Sequence, residues 1–310
     1  MAKIMRRKYI CTNNVVEVTQ YVVGDKTQGS PRWRKAKSQD DKRDENARQA
    51  VRVAARILNC NYTPEDWLLT LTWSDEKWKK LVEEVEIATS PAAPRNDTDL
   101  LLDRAREVLA GKLDQVRRMA KKQGVEVKSF AVTSDLDQET GELVRVHHHV
   151  VINAAGKDLL EQKWDMGLVH CENLYRQDDY TPLAAYLLGQ VRHRENRKKY
   201  ACSRNMVQPK VEEMVIAECP ESEIRVQPGA KVLDRSPYRE GAMSQYVRYK
   251  RKTGARKRGG KKLGEALGTD CHVGLRPPRN DREIGGRSEF CKDKSAAGGS
   301  GYEFSKIAWG

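Results

Sequence analysis

The chain has 310 residues, 57 Lys and Arg against 44 Asp and Glu, and a formal net charge of +13, with 38% hydrophobic and 33% charged residues. That length suffices for one large or two smaller cored domains, and the charge points to a polyanion, most economically nucleic acid. No run of about eighteen apolar residues and no leader in MAKIMRRKYICTNN is present, which speaks against a membrane protein and predicts a soluble, cytoplasmic one. The seven cysteines are scattered without a CxxC pair, which argues against a zinc knuckle or disulfide framework and fits a reducing compartment.

In chain order, YICTNNVVEVTQYVV reads as one or two short strands, and the charged run after it merges into a helix through ENARQAVRVAARILN, where apolar residues recur at helical spacing. Leu68 to Trp73 read as a buried strand rich in Leu and Thr. Residues 75–92 and 97–122 read as helices, the second ending at Gly124 in a C-cap position. VEVKSFAVTS, the polar turn DLDQETGEL and VRVHHHVVIN form a hairpin. A helix from KDLLEQKW, a strand around GLVHCENLY and a helix through DDYTPLAAYLLGQVRHRENRKKY follow, the last with Thr181 as N-cap and Pro182 at its first position. One or two late strands lie in NMVQPKVEEMVIAECPESEIRVQPGAKVLD. The expected organisation is a basic, helical extension over 1–60, a central domain over 61–235, and a basic, Gly-rich tail over 236–310 that is disordered in the free protein from about 250. The fold class is α+β: an antiparallel central sheet with helices packed on one face and the site on the open face.

Half of the six histidines stand together as His147, His148 and His149 in an apolar strand. Strand alternation turns His147 and His149 to one face, about 6–7 Å apart along the strand, close enough to share a divalent metal. A chance cluster of surface histidines is the competing reading. Phosphate chemistry favours a hard oxygen ligand beside the imidazoles; Asp135 is the preferred candidate, with Glu139 behind it, and Asp137 and Ser134 are the other polar groups there. Downstream, Tyr186 is a candidate nucleophile, although Tyr175, Tyr180 and Tyr200 are equally phenolic. Arg192, Arg194, Arg197, Lys198, Lys199 and Arg204 follow it and can grip a nucleic-acid backbone.

WLLTLTW, VRVHHHVVIN and AAYLLGQ, in that order, resemble the three motifs of the HUH endonucleases, above all the rolling-circle replication initiators of phages, plasmids and integrated elements. The resemblance covers roughly residues 64–210. It implies His147 and His149 as ligands of Mg2+ or Mn2+, Tyr186 as the nucleophile that joins a 5′ phosphate, and a third acidic ligand at Ser134 or Asp135. The partner it implies is single-stranded DNA at a replication origin, with a host helicase and polymerase, and the second cut calls for a homodimer or reuse of the same tyrosine. The chain departs from the family pattern at His148, where a bulky apolar residue is usual, and at Gly189, where a lysine is usual. A cleavage-deficient origin-binding regulator of the same fold is one alternative, and an HUH-type transposase is another.

Overall fold

The computed structural model describes residues 3–23, 39–88, 97–137, 140–174, 177–192, 197–216, 222–239 and 244–252. Glu139, Arg194 and the chain beyond 252 therefore lie outside the described residues, and with them most of the expected tail. The elements run β1 (Lys3–Ile10), β2 (Val15–Val23), α1 (Gln39–Asn61), β3 (Trp67–Leu71), α2 (Asp75–Ala88), α3 (Asp97–Lys122), β4 (Ser129–Leu136), β5 (Leu143–Ile152), α4 (Ala154–Lys163), β6 (Val169–Asn173), α5 (Thr181–Gly189), β7 (Ala201–Cys202), β8 (Lys210–Ile216), β9 (Lys231–Arg239) and β10 (Ser244–Lys250).

The mixed α+β class holds, but the strands form two antiparallel sheets of five strands, ordered β8-β1-β2-β10-β9 and β6-β3-β5-β4-β7. The first sheet unites the two ends of the described chain. The expected boundary at 235 falls inside β9, and residues 236–239 and 244–250 are strand rather than tail. Their burial explains this: Val247 and Tyr249 pack with Val16, Val18 and Ile224, and Tyr246 is buried on the other face of β10, beneath Arg52 of α1.

The second sheet carries the histidines and is covered on both faces, not one. On one face, Leu69, Leu71, Val146, Val150 and Ile152 meet the stripe Leu102, Ala105, Leu109, Leu113 and Val116 of α3, with Leu81 of α2 and Leu160 of α4. On the other, Phe130, Val132 and Val151 meet Ala54, Ala55 and Leu58 of α1 and Leu183, Ala184 and Leu187 of α5. β3, residues 130–132 of β4 and residues 150–152 of β5 are apolar runs because both faces of the sheet are buried there. Helix α1 lies between the sheets: Ala54, Ala55 and Leu58 face the second, while Arg56 bonds Glu17 of the first.

Two local expectations change. Helix α5 stops at Gly189 instead of running through the basic segment, and its N-cap is Tyr180, one residue before Thr181. Gly124 takes φ +71°, the left-handed conformation that ends α3 as its sequence predicts.

Candidate functional site

Strand alternation sorts the three histidines. His148 points into the α3 face and is fully buried between Trp73 and Trp164, with ring centroids 6.1 and 5.4 Å away. Its Nδ1 meets Thr133 Oγ1 at 2.9 Å, and burial, then the charges of His147 and His149, lowers its pKa to about 3. It is a neutral core residue, doing at this position what a bulky apolar side chain does.

His147 and His149 turn to the α5 face, their rings perpendicular with centroids 5.1 Å apart. His149 Nδ1 lies 3.1 Å from Thr70 Oγ1 on β3, its direct cross-strand partner, and its Nε2 lies 2.9 Å from Gln190 Oε1. Burial is the main cause that lowers the His149 pKa to about 4, His147 adds to it, and the Gln190 bond opposes it. His149 is therefore neutral at pH 7, the form in which imidazole ligates metals. His147 Nδ1 lies 3.3 Å from the Arg145 carbonyl and its Nε2 lies 3.4 Å from the same Gln190 Oε1. Carbonyl and amide oxygens only accept, so both ring nitrogens of His147 face acceptors, and the tautomer sets which of them donates.

Gln190 is the residue sequence reasoning missed. It caps the C-terminal end of α5, four residues after Tyr186, so both side chains leave one face of the helix. Its carbonyl accepts Ser134 Oγ at 2.5 Å, which pins the end of α5 to β4 opposite His147. Its amide nitrogen is buried without a hydrogen-bond partner while its oxygen faces two imidazole nitrogens. His149 Nε2 donates to the amide oxygen, and His147 Nε2 faces the same oxygen, so the two imidazoles and the amide converge on one point where a divalent cation would take the place of the shared proton. The spacing of four after a helical tyrosine was the available signal, but a glutamine carries no titratable group to draw attention.

Tyr186 stands beside this set. Its ring lies 5.8 Å from that of His149, inclined by 69°. Burial raises its phenol pKa, the nearby Gln190 side chain works against that, and the charge of Glu172 on β6 adds to it. Tyr180 is buried and Tyr200 stacks on Phe130 at 4.6 Å, so neither stands where Tyr186 does; Tyr175 lies outside the described residues.

Asp135 is not drawn to the histidines. The pairing of β4 with β5 shifts register between Ser134 and Leu136, and Arg192 holds the buried Asp135 carboxylate, with Nε 3.0 and 2.9 Å from its two oxygens and Nη2 2.5 Å from one of them. The same Nη2 reaches Asp99 Oδ1 of α3 at 3.1 Å. Among the described residues no three His, Cys, Asp or Glu side chains are grouped to hold a metal; the third group facing the two imidazoles is the Gln190 amide. Asp137 is a turn residue, its Oδ1 accepting Thr140 N at 2.9 Å.

The basic segment divides. Arg192 is committed to Asp135 and Asp99, and Arg197 pairs with Asp103 of α3 at 3.0 Å. Lys198 and Arg204 are exposed, and Lys199 is half-buried, with its ammonium pKa lowered by that burial. These last three are the cations of the set that the described residues offer to solvent or ligand. No protein-family model, no curated protein and no solved structure matches the chain.

Proposed function

We propose that this protein cuts and rejoins single-stranded DNA by transesterification at Tyr186, as the resemblance of its three motifs to the HUH endonucleases implies, and that it initiates rolling-circle replication at an origin. One observation carries the reading: His147 Nε2, His149 Nε2 and Gln190 Oε1 converge beside a tyrosine one helical turn before Gln190. The net charge of +13 supports a polyanionic substrate.

In the proposed step, Tyr186 Oη forms a bond to phosphorus, the bond from phosphorus to the 3′ oxygen breaks, and the protein keeps the 5′ phosphate. The phenol proton leaves Oη as that bond forms, and the freed 3′ oxygen takes up a proton. The reverse step rejoins the strand. His147, His149 and Gln190 would hold Mg2+ or Mn2+, whose chemistry is to withdraw charge from the scissile phosphate and stabilise the leaving oxygen. Thr70 fixes the His149 ring and the Arg145 carbonyl fixes that of His147, the outer contacts that keep imidazole ligands aimed. A phenol is protonated at neutral pH, and burial raises the Tyr186 pKa further. Lys198, Lys199 and Arg204 are the proposed backbone contacts.

A second reading, a DNA-binding regulator of the same fold that does not cleave, is favoured by Gly189 in place of a lysine and by the engagement of Arg192 with two carboxylates. A labelled single-stranded origin oligonucleotide incubated with Mg2+ or Mn2+ and run on a denaturing gel separates the two. Cleavage predicts a protein-linked band that Tyr186→Phe and His147→Ala each abolish while DNA binding persists. Tight, salt-sensitive binding without any adduct supports the regulator, and an adduct at wild-type yield in Tyr186→Phe removes Tyr186 as nucleophile.

A further inference from the structure

Tyr186 and Gln190 sit on α5, whose apolar face packs on the histidine sheet and α1, while the polar anchors at its start come from the first sheet and from α1. Asp179, two residues before the helix, is buried, and its Oδ2 accepts Arg248 Nε of β10 at 3.1 Å. Its other oxygen, Oδ1, accepts Thr181 N at 2.5 Å, the first amide of α5. Arg248 is also nearly buried, and its Nη1 lies 3.7 Å from Asp234 Oδ2 of β9. The neighbouring anchors come from the same side. Tyr180 N donates to Asn59 Oδ1 of α1 at 3.0 Å, and that oxygen also accepts Asn13 Nδ2 of the β1–β2 turn at 2.6 Å. Asp178 pairs with Lys231 of β9 and lies 3.9 Å from Lys250 Nζ of β10, which also reaches the Gln177 carbonyl at 3.4 Å.

These anchors are unequal. Lys231 is largely exposed, and solvent and salt screen pairs of that kind. The pair of Arg248 and Asp179 is desolvated, so the carboxylate has a single low-energy seat, where the guanidinium and the Thr181 amide are both satisfied. An acidic side chain at that end also suits the positive end of the α5 dipole. At its other end, α5 reaches β4 through Ser134 and meets the two histidines through Gln190. The helix is thus strung between the two sheets, and nine residues of α-helix transmit a displacement of one end to the other as a rigid body.

We propose that Arg248 and Asp179 are positioning residues for the site: their buried ion pair seats α5 on the first sheet and so sets where Tyr186 and Gln190 stand against His147 and His149. This rests on the reading that Gln190 completes the donor set. Neither residue touches the site, so both act through the helix.

The test uses the full chain and the double variant Arg248→Leu/Asp179→Asn, which keeps an acceptor for Thr181 N and strands no buried charge. Arg248→Lys, which keeps the charge and loses the planar fork, is the partner variant, and Gln190→Ala shows the effect of losing the amide contact outright. Three quantities are read: the 15N resonances of the His149 ring in metal-free protein, the dissociation constant for Mn2+ by calorimetry, and the single-turnover rate of adduct formation beside the KM for the oligonucleotide. The expected result is a His149 resonance displaced toward its Gln190→Ala position and Mn2+ binding weakened about tenfold to a hundredfold, the scale on which outer-shell partners act. The adduct rate falls by a similar factor at unchanged KM, and Arg248→Lys recovers part of each loss. A double variant that melts at lower temperature yet keeps the His149 resonance and the Mn2+ affinity of wild type overturns the proposal, because the pair then supports the fold alone. Wild-type protein that binds no Mn2+ overturns the donor-set reading instead, and the His149 resonance still decides whether the pair positions the helix.

Discussion

The two sheets are both antiparallel and both five-stranded, yet they are held to their helices by different chemistry. The second is sandwiched between apolar helix faces, with Leu69, Val150, Ile152, Phe130 and Val151 fully buried. The first meets α1 through a small apolar contact of Val15 and Cys11 with Cys60, and beyond it through charge and aromatic rings. Arg56 Nη2 lies 2.7 Å from the buried Glu17 Oε2, and its guanidinium lies 3.6 Å from the Tyr9 ring centroid, while Arg52 lies 4.0 Å from that of Tyr246. Apolar packing supplies stability but little direction. A buried guanidinium has few acceptable partners and fixes one arrangement. The comparison therefore assigns stability mainly to the second sheet and placement of α1 and α5 to the first.

The largest break in that comparison is expected at Phe130, fully buried and stacked on Tyr200. Phe130→Ala should cost about 4 kcal/mol, the range for a large core truncation, measured as a shift in urea unfolding. In the first sheet the corresponding test is electrostatic. Arg56→Met leaves Glu17 buried without its cation and should cost about 3 kcal/mol, whereas Arg56→Met combined with Glu17→Leu should return close to wild type. A double variant no more stable than the single one would mean that Glu17 and Arg56 do not act as a pair.

Acid should separate the sheets next. His148 and His149 have folded pKa values lowered to about 3 and about 4 from 6.5, mainly by burial. A group whose pKa falls on folding takes up its proton more readily when unfolded. Stability is therefore full above pH 6.5 and drops as pH falls through 6.5 toward 4 and then 3, by up to about 1.4 kcal/mol per pH unit for each histidine. The described histidines all lie on β5 and β6, so hydrogen exchange at pH 5 should show β3, β4 and β5 losing protection before β1, β2 and β10. His148→Leu should halve the slope; an unchanged slope would place the acid-sensitive groups elsewhere. The smallest effect is expected at Gly189, exposed in the last turn of α5, where an added Cβ meets no atom within 4 Å. Gly189→Lys should stabilise by about 0.5–1 kcal/mol through helix propensity and dipole, read as a small rise in Tm. It also supplies the lysine usual in the motif that the chain resembles, so under the proposed function a rise in adduct rate is the second readout.

Elements with a local period were legible before any contact was known. The α3 stripe and its Gly124 stop, the alternation that puts His147 and His149 on one face, and the start of α5 near Pro182 all follow from backbone geometry over a few residues. Gln190 and Asp135 were not. An amide shows its role only when its neighbours are placed, and the register shift after Ser134, which gives Asp135 to Arg192, leaves no mark in the alternation of β4. The basic segment read as helix because its residues are good helix formers, but α5 stops at Gly189 and Arg192 turns to Asp135 and Asp99.

The sequence by itself determined the mixed α+β class, the face shared by His147 and His149, and a charge suited to a polyanion, because each depends on composition or on the pitch of one element. Only the tertiary structure decided that helices cover both faces of the histidine sheet and that β1 and β2 pair with β8 and β10 from the far end of the described residues. It also decided that an amide, not a carboxylate, meets the two imidazoles. Strand pairing and side-chain partners across some two hundred residues are chosen by which buried surfaces and charges satisfy one another, and no local pattern in a single chain encodes that choice.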